Sequence, residues 1–274
     1  MVPLAFQSVK GSAWILSVGN ELLIGRVVNT NAAWLAQRLT LLGYAVRRIV
    51  VVPDVEEEIA GAFRDALGSA DVVVSTGGLG PTPDDVTNFA LAKALGRPAE
   101  VNAEALRMVE EKYARRGYPM TPEREKMAVM PRGARPLPNP VGTAPGILVE
   151  EGSKIVVCLP GVPSEMEAIF LEHVEPLLRS RGPPHFYAER VVRVKGVPES
   201  DVAPVVKKAL KLSELVYVKS HPRGFEVDAP VLEIHVYGGS EKPGEAESEV
   251  ERVAAFVAEE IRRSFPEKAQ VELR

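Results

Sequence analysis

The sequence is short of the residues that mark secreted, zinc-binding or membrane proteins. Its 274 residues include one cysteine, Cys158, which excludes a framework of intramolecular disulfide bonds and favours a reducing compartment. The four histidines are scattered without the spacing of a zinc motif. No apolar run approaches the length of a membrane-spanning helix. We therefore expect a cytoplasmic protein that is not inserted in a membrane.

The sequence also lacks a large excess of charge of either sign. It has 33 Lys and Arg against 37 Asp and Glu, a formal net charge of −4. Residues 185–274 hold 14 basic against 16 acidic side chains, so this part has no basic surface for a phosphate backbone. We therefore do not expect nucleic acid as a partner.

The chain length and the glycine and proline residues near position 182 predict two domains. A chain of 274 residues is long for one ordinary domain, and Gly182 with two following prolines interrupts regular structure. We place the first domain at 1–182 and the second, a small α+β domain, at 185–274. The predicted elements of the second domain are strands at 187–195, 215–219 and 231–237 and helices at 199–211 and 245–264.

The most informative stretch is Asp71–Thr87, where an apolar β-branched strand over Val72–Val74 runs straight into a glycine turn at Gly77–Gly80. Glycines without Cβ allow positive φ and close approach of the backbone to a ligand, so that N–H groups can surround an anion. Thr82 adds a hydroxyl donor. The stretch predicts a phosphate site that follows a buried strand.

Two adjacent carboxylates, Asp84 and Asp85, come next and open a helix that ends at Gly96. A carboxylate pair beside a phosphate would repel it unless a hard cation such as Mg²⁺ bridges the two. The plainer interpretation is that Gly77–Gly80 is only a tight turn and that Asp84 or Asp85 only caps the helix. The turn lacks the Lys-Ser/Thr ending of a P-loop and the spacing of a dinucleotide fingerprint.

Three other segments also place glycine, proline or polar groups where an apolar run ends. They are Gly19–Gly25 after the strand at 14–18, Asn139–Gly146 before the strand at 147–149, and Pro160–Met166 after the strand at 155–159. Their shared position predicts loops that gather at one edge of a parallel sheet. The second segment could equally be a plain loop, and Glu165 in the third could simply face water.

Together these stretches resemble the molybdopterin-binding fold of the MogA/MoaB group and, more closely, the N-terminal domain of the CinA family. The resemblance spans about residues 12–180 and is carried by Gly19–Gly25 with Asn29 and Asn31, Thr76–Asp85, Gly142–Gly146 and Pro160–Met166. It implies a three-layer α/β domain with a mostly parallel sheet and one nucleotide- or pterin-binding cleft. Residues 185–274 resemble the KH-like domain that follows this domain in CinA proteins, and we expect a homodimer. The C-terminal deamidase domain of many CinA proteins has no room in this length, so we expect that activity to be absent.

The resemblance implies metal-dependent hydrolysis of the pyrophosphate of a nucleotide such as ADP-ribose, giving AMP and ribose 5-phosphate. Asp84 and Asp85 would bind Mg²⁺, Mn²⁺ or Co²⁺, with K⁺ as a further candidate ion, and Glu21 or Glu165 would act as general base. Glu21 thus joins the two aspartates as a catalytic candidate. The substrate-binding candidates are Gly19, Asn20, Asn29, Asn31, Thr76, Gly77, Gly78, Gly80, Thr82, Gly142, Thr143, Gly146, Gly161 and Glu165.

Several alternatives stay open at this point. The same cleft could adenylylate molybdopterin, or it could bind a pterin or nucleotide without turnover. Asn20 stands where an acid is common in the family, so either Glu21 supplies the carboxylate of the first loop or the affinity for metal is reduced. Residues 185–274 contain no GxxG loop of the kind a KH domain uses to hold nucleic acid. We expect the second domain to mediate dimerisation or to shape the cleft.

Overall fold

The chain forms two units. The computed structural model describes residues 10–223 and 230–274. One unit comprises Gly11–Thr40 and Tyr44–Arg181, and the described part of the other comprises Lys10, Leu41–Gly43, 182–223 and 230–274. No helix within the described ranges is long and apolar enough to cross a membrane.

The first unit is an α/β domain built on a six-stranded sheet. Its strands are β1 (Gly11–Val18), β2 (Tyr44–Val52), β3 (Val72–Thr76), β4 (Ala99–Val101), β5 (Val129–Pro131), β6 (Arg135–Leu137), β7 (Gly146–Glu151) and β8 (Lys154–Leu159). The sheet has the order β2-β1-β3-β8-β7-β6, while β4 and β5 pair separately. The pairs β1–β2, β1–β3 and β3–β8 are parallel, which confirms the predicted mostly parallel α/β fold. All five residues of β3 are buried, as is typical of a central parallel strand.

The helices of this unit alternate with the strands. They are α1 (Asn20–Leu23), α2 (Thr30–Leu41), α3 (Glu56–Ser69), α4 (Thr87–Ala94), α5 (Ala103–Ala114), α6 (Pro122–Lys126), α7 (Pro163–Ile169) and α8 (Glu175–Ser180), with a π-helical turn, Phe170–Val174, joining the last two. In α3 the buried residues Ile59, Phe63 and Ala66 recur at helical spacing. They pack in one core with Leu16 and Val73 of the sheet.

Strand direction decides where the loops meet. The four parallel strands β1, β2, β3 and β8 end at the same edge of the sheet. Because β7 is antiparallel to β8, it begins at that edge. The loop that leads from β6 into β7 therefore joins the loops that follow the parallel strands.

The second unit is a four-stranded antiparallel sheet with two helices. Its elements are β9 (Phe186–Lys195), α9 (Glu199–Ala209), β10 (Val216–Pro222), β11 (Val231–Ser240), α10 (Glu245–Ser264) and β12 (Gln270–Leu273). The strand order is β10-β11-β9-β12. Alternate strand residues such as Val194 and Ile234 share a buried core with the apolar stripe of α10, including Val253 and Val257.

The KH-like assignment of this unit is not confirmed. The sequence pattern did not predict β12, a strand of four residues, which pairs antiparallel with β9 from Gln270 to Leu273. With β12 the element order becomes β-α-β-β-α-β, the ferredoxin-like arrangement. The predicted α+β class of the unit is correct.

Candidate functional site

A cavity of about 880 Å³ opens at the edge where the parallel strands end. Its walls come from the loops after β1, β2, β3 and β8, from the loop before β7 and from the end of α5. The structure thus brings together most of the residues predicted for the site. Those that line the cavity are Gly19, Glu21, Gly77, Gly78, Gly80, Asp84, Asp85, Gly142, Thr143, Gly161 and Glu165.

The remaining predicted residues lie elsewhere. Asn29, Asn31 and Thr76 line a hollow of about 100 Å³, which shares Glu21 and Gly161 with the cavity. Asn20, Thr82 and Gly146 are not among the described residues that line either space. Gly146 is the first residue of β7, and a Cβ there would lie 3.1 Å from the Cys158 carbonyl oxygen. Close packing within the sheet accounts for that glycine.

The glycine turn after β3 is required by packing as well as by the cavity. Gly77 and Gly78 have φ of 102° and 69°, values that side chains rarely adopt. A Cβ on Gly77 would lie 2.2 Å from the Val18 carbonyl oxygen, and one on Gly78 would lie 2.2 Å from Thr87 Oγ1. The Thr87 hydroxyl donates to the Gly77 carbonyl at 2.9 Å. The tight turn is therefore real, and it also forms part of the cavity wall.

Not every amide of this turn is available to an anion. The Gly77 N–H donates to the Leu159 carbonyl at 3.0 Å, which ties the turn to β8. Within the described ranges, the N–H groups of Gly78 and Gly80 donate to no backbone carbonyl. Fewer backbone N–H groups are therefore available to an anion than the sequence suggested, and they are those of Gly78 and Gly80.

Asp85 stabilises the turn and does not cap the helix. One of its oxygens, Oδ2, accepts from the Thr82 N–H at 2.9 Å and from the Thr82 hydroxyl. Helix α4 begins at Thr87 after Val86, with no side-chain cap, so the prediction that Asp84 or Asp85 caps it was wrong. The Asp85 carboxylate instead accepts hydrogen bonds from Thr82 in the turn that precedes the helix, so it is not available as a cap.

Asp84 is exposed beside this turn. Hydrogen bonding with Thr82 lowers the pKa of Asp84, as does the nearby positive charge of Lys126. The Lys126 ammonium also donates to the Thr82 carbonyl. Asp84 is therefore a carboxylate at neutral pH, the form that can bind a cation.

The aspartate pair fits a metal that takes few ligands from protein. No three Asp, Glu, His or Cys side chains cluster as a metal site in the described ranges. Asp85 has one oxygen engaged by Thr82, which leaves its other oxygen together with the Asp84 carboxylate. Mg²⁺ typically uses one or two carboxylates and completes its shell with water and substrate phosphate oxygens. The donor set therefore suits such an ion.

The segments that follow β1 and β2 add two more carboxylates to the cavity. Glu21 folds back over Gly19, where a Cβ would lie 2.4 Å from Glu21 Oε1. Asp54, two residues beyond the end of β2, accepts from the Asn20 N–H at 2.8 Å through Oδ2. Sequence reasoning missed Asp54, although a polar residue just after an apolar strand was the signal used elsewhere.

Asn139 organises the loop before β7. Its amide donates to the Ala144 carbonyl at 2.9 Å and to Glu165 Oε2 at 2.6 Å. Its Oδ1 accepts from Val141 N at 3.1 Å and from Gly142 N at 2.7 Å. The alternative that Glu165 simply faces water is therefore wrong, since this half-buried carboxylate is fixed against the loop. The same contacts engage the N–H groups of Val141 and Gly142, so neither is available to a ligand.

Asn29, Asn31 and Thr76 hold the loops to one another. The Asn31 amide donates to Thr76 Oγ1 at 3.0 Å and to the Gly161 carbonyl at 2.8 Å. The Thr76 hydroxyl in turn donates to the Pro160 carbonyl at 2.9 Å. Asn29 Oδ1 accepts from Ala32 N at 3.1 Å in the first turn of α2. These side chains position the rim of the site.

Three basic residues complete the lining, and sequence reasoning missed all of them. Lys112, Arg115 and Arg116 lie at the C-terminal end of α5. The Lys112 ammonium lies 3.5 Å from the Pro140 carbonyl oxygen. The available signal was the basic cluster before Gly117, but nothing local in the sequence places α5 beside the loops.

The fold and the cavity define a class, an α/β ligand-binding domain whose polar loops meet at the carboxyl edge of a mostly parallel sheet. Residues 14–180 match the model of the family described as probable molybdopterin binding domain, and the chain belongs to that family. A protein of Pyrobaculum arsenaticum is 68% identical over 251 residues, 92% of this chain and 95% of that protein. A protein of Aeropyrum pernix is 51% identical over 255 residues, 93% and 94% of the two chains.

A solved structure extends the comparison. The crystal structure of CinA from Thermoplasma acidophilum, a protein described as having unknown function, is 48% identical. The match covers 62% of this chain and 99% of that chain, with a TM-score of 0.58. The predicted resemblance of the first domain to CinA is therefore confirmed.

Proposed function

We propose that the protein is a metal-dependent hydrolase of the pyrophosphate bond in a nucleotide such as ADP-ribose, releasing AMP and ribose 5-phosphate. One observation carries the proposal: Asp84 and Asp85 line the same cavity as the amides of Gly78 and Gly80. A site that only bound a phosphate would gain nothing from two carboxylates beside it, because like charges repel. Paired carboxylates become useful when a cation lies between them and the phosphate.

In this reaction Asp84 and Asp85 would hold Mg²⁺, Mn²⁺ or Co²⁺. The positive charge of the ion would stabilise a phosphoryl oxygen and would lower the pKa of a bound water. The Gly78 and Gly80 amides would donate to the charge that develops on the attacked phosphate. The water oxygen forms the new bond to phosphorus as the bond to the bridging oxygen breaks, and the second phosphate leaves with the ribose.

Glu21 is the better candidate for the general base. Asn139 donates to Glu165 Oε2 at 2.6 Å, so one oxygen of that carboxylate is already engaged by the loop before β7. Among the described residues, no hydrogen-bond donor contacts the Glu21 carboxylate, which also lines the cavity. In this proposal Glu21 would take the proton of the water.

The test is product analysis. Purified protein is incubated with ADP-ribose, and separately with ATP plus molybdopterin, in Mg²⁺, Mn²⁺, Co²⁺ or EDTA, each with and without K⁺. We expect AMP and ribose 5-phosphate from ADP-ribose in metal only. Pyrophosphate release with an adenylylated pterin would replace the proposal by cofactor synthesis. Silence in both reactions would favour a binding protein.

A further inference from the structure

The cavity carries opposite charges on different elements. Five carboxylates come from the strand-end loops and the start of α7, namely those of Glu21, Asp54, Asp84, Asp85 and Glu165. All three basic side chains, Lys112, Arg115 and Arg116, come from the end of α5. The acidic part of the lining therefore needs a cation before it can bind phosphate. The basic part can bind phosphate directly.

Helix electrostatics alone do not account for the basic part. Cations are favourable near a helix C-terminus because they offset the partial negative charge of its last carbonyls. Arg115 also lies 3.6 Å from Glu111 in an exposed i,i+4 pair. Lys112 contacts only the neutral Pro140 carbonyl, however, and Arg116 has no ion-pair partner within the described residues. Both face the cavity with their charge unpaired.

We propose that Lys112, Arg115 and Arg116 form a phosphate subsite that works without a metal ion. Ammonium and guanidinium groups donate several charge-assisted hydrogen bonds to phosphate oxygens, and guanidinium can do so through two bonds at once. The subsite takes the phosphate that is not bridged to Asp84 and Asp85. This assignment of the second phosphate rests on the proposed hydrolysis. In that reaction the subsite binds the phosphate that becomes part of ribose 5-phosphate.

The test is calorimetric binding of ADP-ribose and of inorganic pyrophosphate in EDTA, with no turnover needed. We expect the wild-type protein to bind both, more weakly as salt increases. Arg116→Ala and Lys112→Ala should each lose about tenfold in affinity, as expected for the loss of a hydrogen bond to a charged group. Arg116→Lys should retain much of the affinity. Asp85→Asn should bind as well or more tightly, because a repelling carboxylate has gone.

Arg107→Ala is the matched control, since Arg107 is exposed on the same helix and does not line the cavity. It should bind like the wild type. Circular dichroism melting curves establish that each variant is folded. The subsite is overturned if the wild-type protein binds neither ligand in EDTA, or if Arg116→Ala and Lys112→Ala both bind like Arg107→Ala.

The two proposals fail in different assays. Binding in EDTA that depends on Arg116, with no hydrolysis in any metal, supports the subsite and removes the hydrolase. Hydrolysis of ADP-ribose in Mg²⁺ with no metal-free binding removes the subsite and supports the hydrolase.

Discussion

The two units of the chain use polar side chains differently. In the first unit, the Asn31 amide joins α2 to the end of β3 and to the loop after β8, and the Asn139 amide joins the loop before β7 to Glu165 of α7. In the second unit, the sheet and helices bury an apolar core. Its polar contacts join elements of that packed core, as where Lys208 of α9 and Arg263 of α10 both pair with the largely buried Glu260.

Polar contacts thus position the loops around the cavity of the first unit, whereas packing stabilises the second unit. A side chain that joins two loops sets the distance between groups on those loops, and an active site depends on that distance. Apolar packing sets the stability of a unit and leaves its surface chemistry open. The comparison therefore predicts that activity and stability respond to different residues in the two units.

The largest effect should come from Asp85→Asn. The change removes a carboxylate of the proposed cation site but keeps an amide oxygen that can accept from Thr82, so the turn should persist. Hydrolysis of ADP-ribose should fall by about 100-fold or more, because a metal supplies several kcal/mol of charge stabilisation. Steady-state rates in Mg²⁺ measure the loss. Asp65→Asn, an exposed position on α3 outside the cavity, is the control and should leave the rate unchanged.

A core substitution in the second unit should show the opposite pattern. Ile234 is fully buried, so Ile234→Ala should destabilise that unit by about 2–5 kcal/mol. Urea denaturation with a probe in the second unit measures this. ADP-ribose hydrolysis under conditions where both units stay folded should remain at the wild-type rate. A loss of activity without unfolding would show that the second unit takes part in the chemistry.

Asn139 should affect both properties to a smaller extent. Asn139→Ala leaves the Val141 and Gly142 amides without their acceptor, which should cost about 1–3 kcal/mol of stability. Asn139→Asp restores that acceptor but puts a second carboxylate against Glu165. At neutral pH the aspartate variant should therefore have the lower activity of the two. Equal rates for both variants would show that Glu165 needs no support from this loop.

The smallest effect concerns pH. Burial, and then the nearby Lys10, hold the pKa of His185 below its usual 6.5, so the folded second unit keeps this imidazole neutral while the unfolded chain binds a proton more readily. Stability of that unit should fall as the pH decreases from 6.5 towards the folded pKa. His185→Gln should remove this part of the slope in pH-dependent melting. An unchanged slope would contradict the assignment.

The first unit should respond at lower pH. The Ser12 N–H donates to Asp71 at 2.7 Å and the Ser12 hydroxyl at 2.8 Å, and these bonds lower the pKa of Asp71 below its usual 3.8. Its contribution is present above pH 3.8 and is lost as the pH falls through the folded pKa. As the pH decreases below 6.5 but stays above 3.8, His185 should therefore weaken the second unit while the Asp71 contribution to the first unit stays intact.

The cavity could be predicted because its signals are local. Each of the loops after β1, β3 and β8 follows an apolar strand directly, and parallel strands bring such loops to one edge. The glycines of the Gly77–Gly80 segment indicate a tight turn by their residue type alone. These features depend on neighbours along the chain, which a sequence displays.

The missed features depend on partners far apart in the chain. Arg116 reaches the cavity only because α5 packs beside loops that the sequence does not place next to it. The contact between Asn139 and Glu165 joins positions 26 residues apart. Strand β12 is too short for its alternation to stand out, and it forms because β9 offers an edge. The homodimer and the metal remain predictions.

The most direct test of the central claim is a crystal structure with Mn²⁺ and an ADP-ribose analogue whose bridging oxygen is replaced by methylene. Anomalous scattering locates the manganese independently of the ligand. The account predicts Mn²⁺ between a phosphate oxygen and the carboxylates of Asp84 and Asp85, with the other phosphate at Arg116. A pyrophosphate bound in the cavity with no manganese near either aspartate would contradict it.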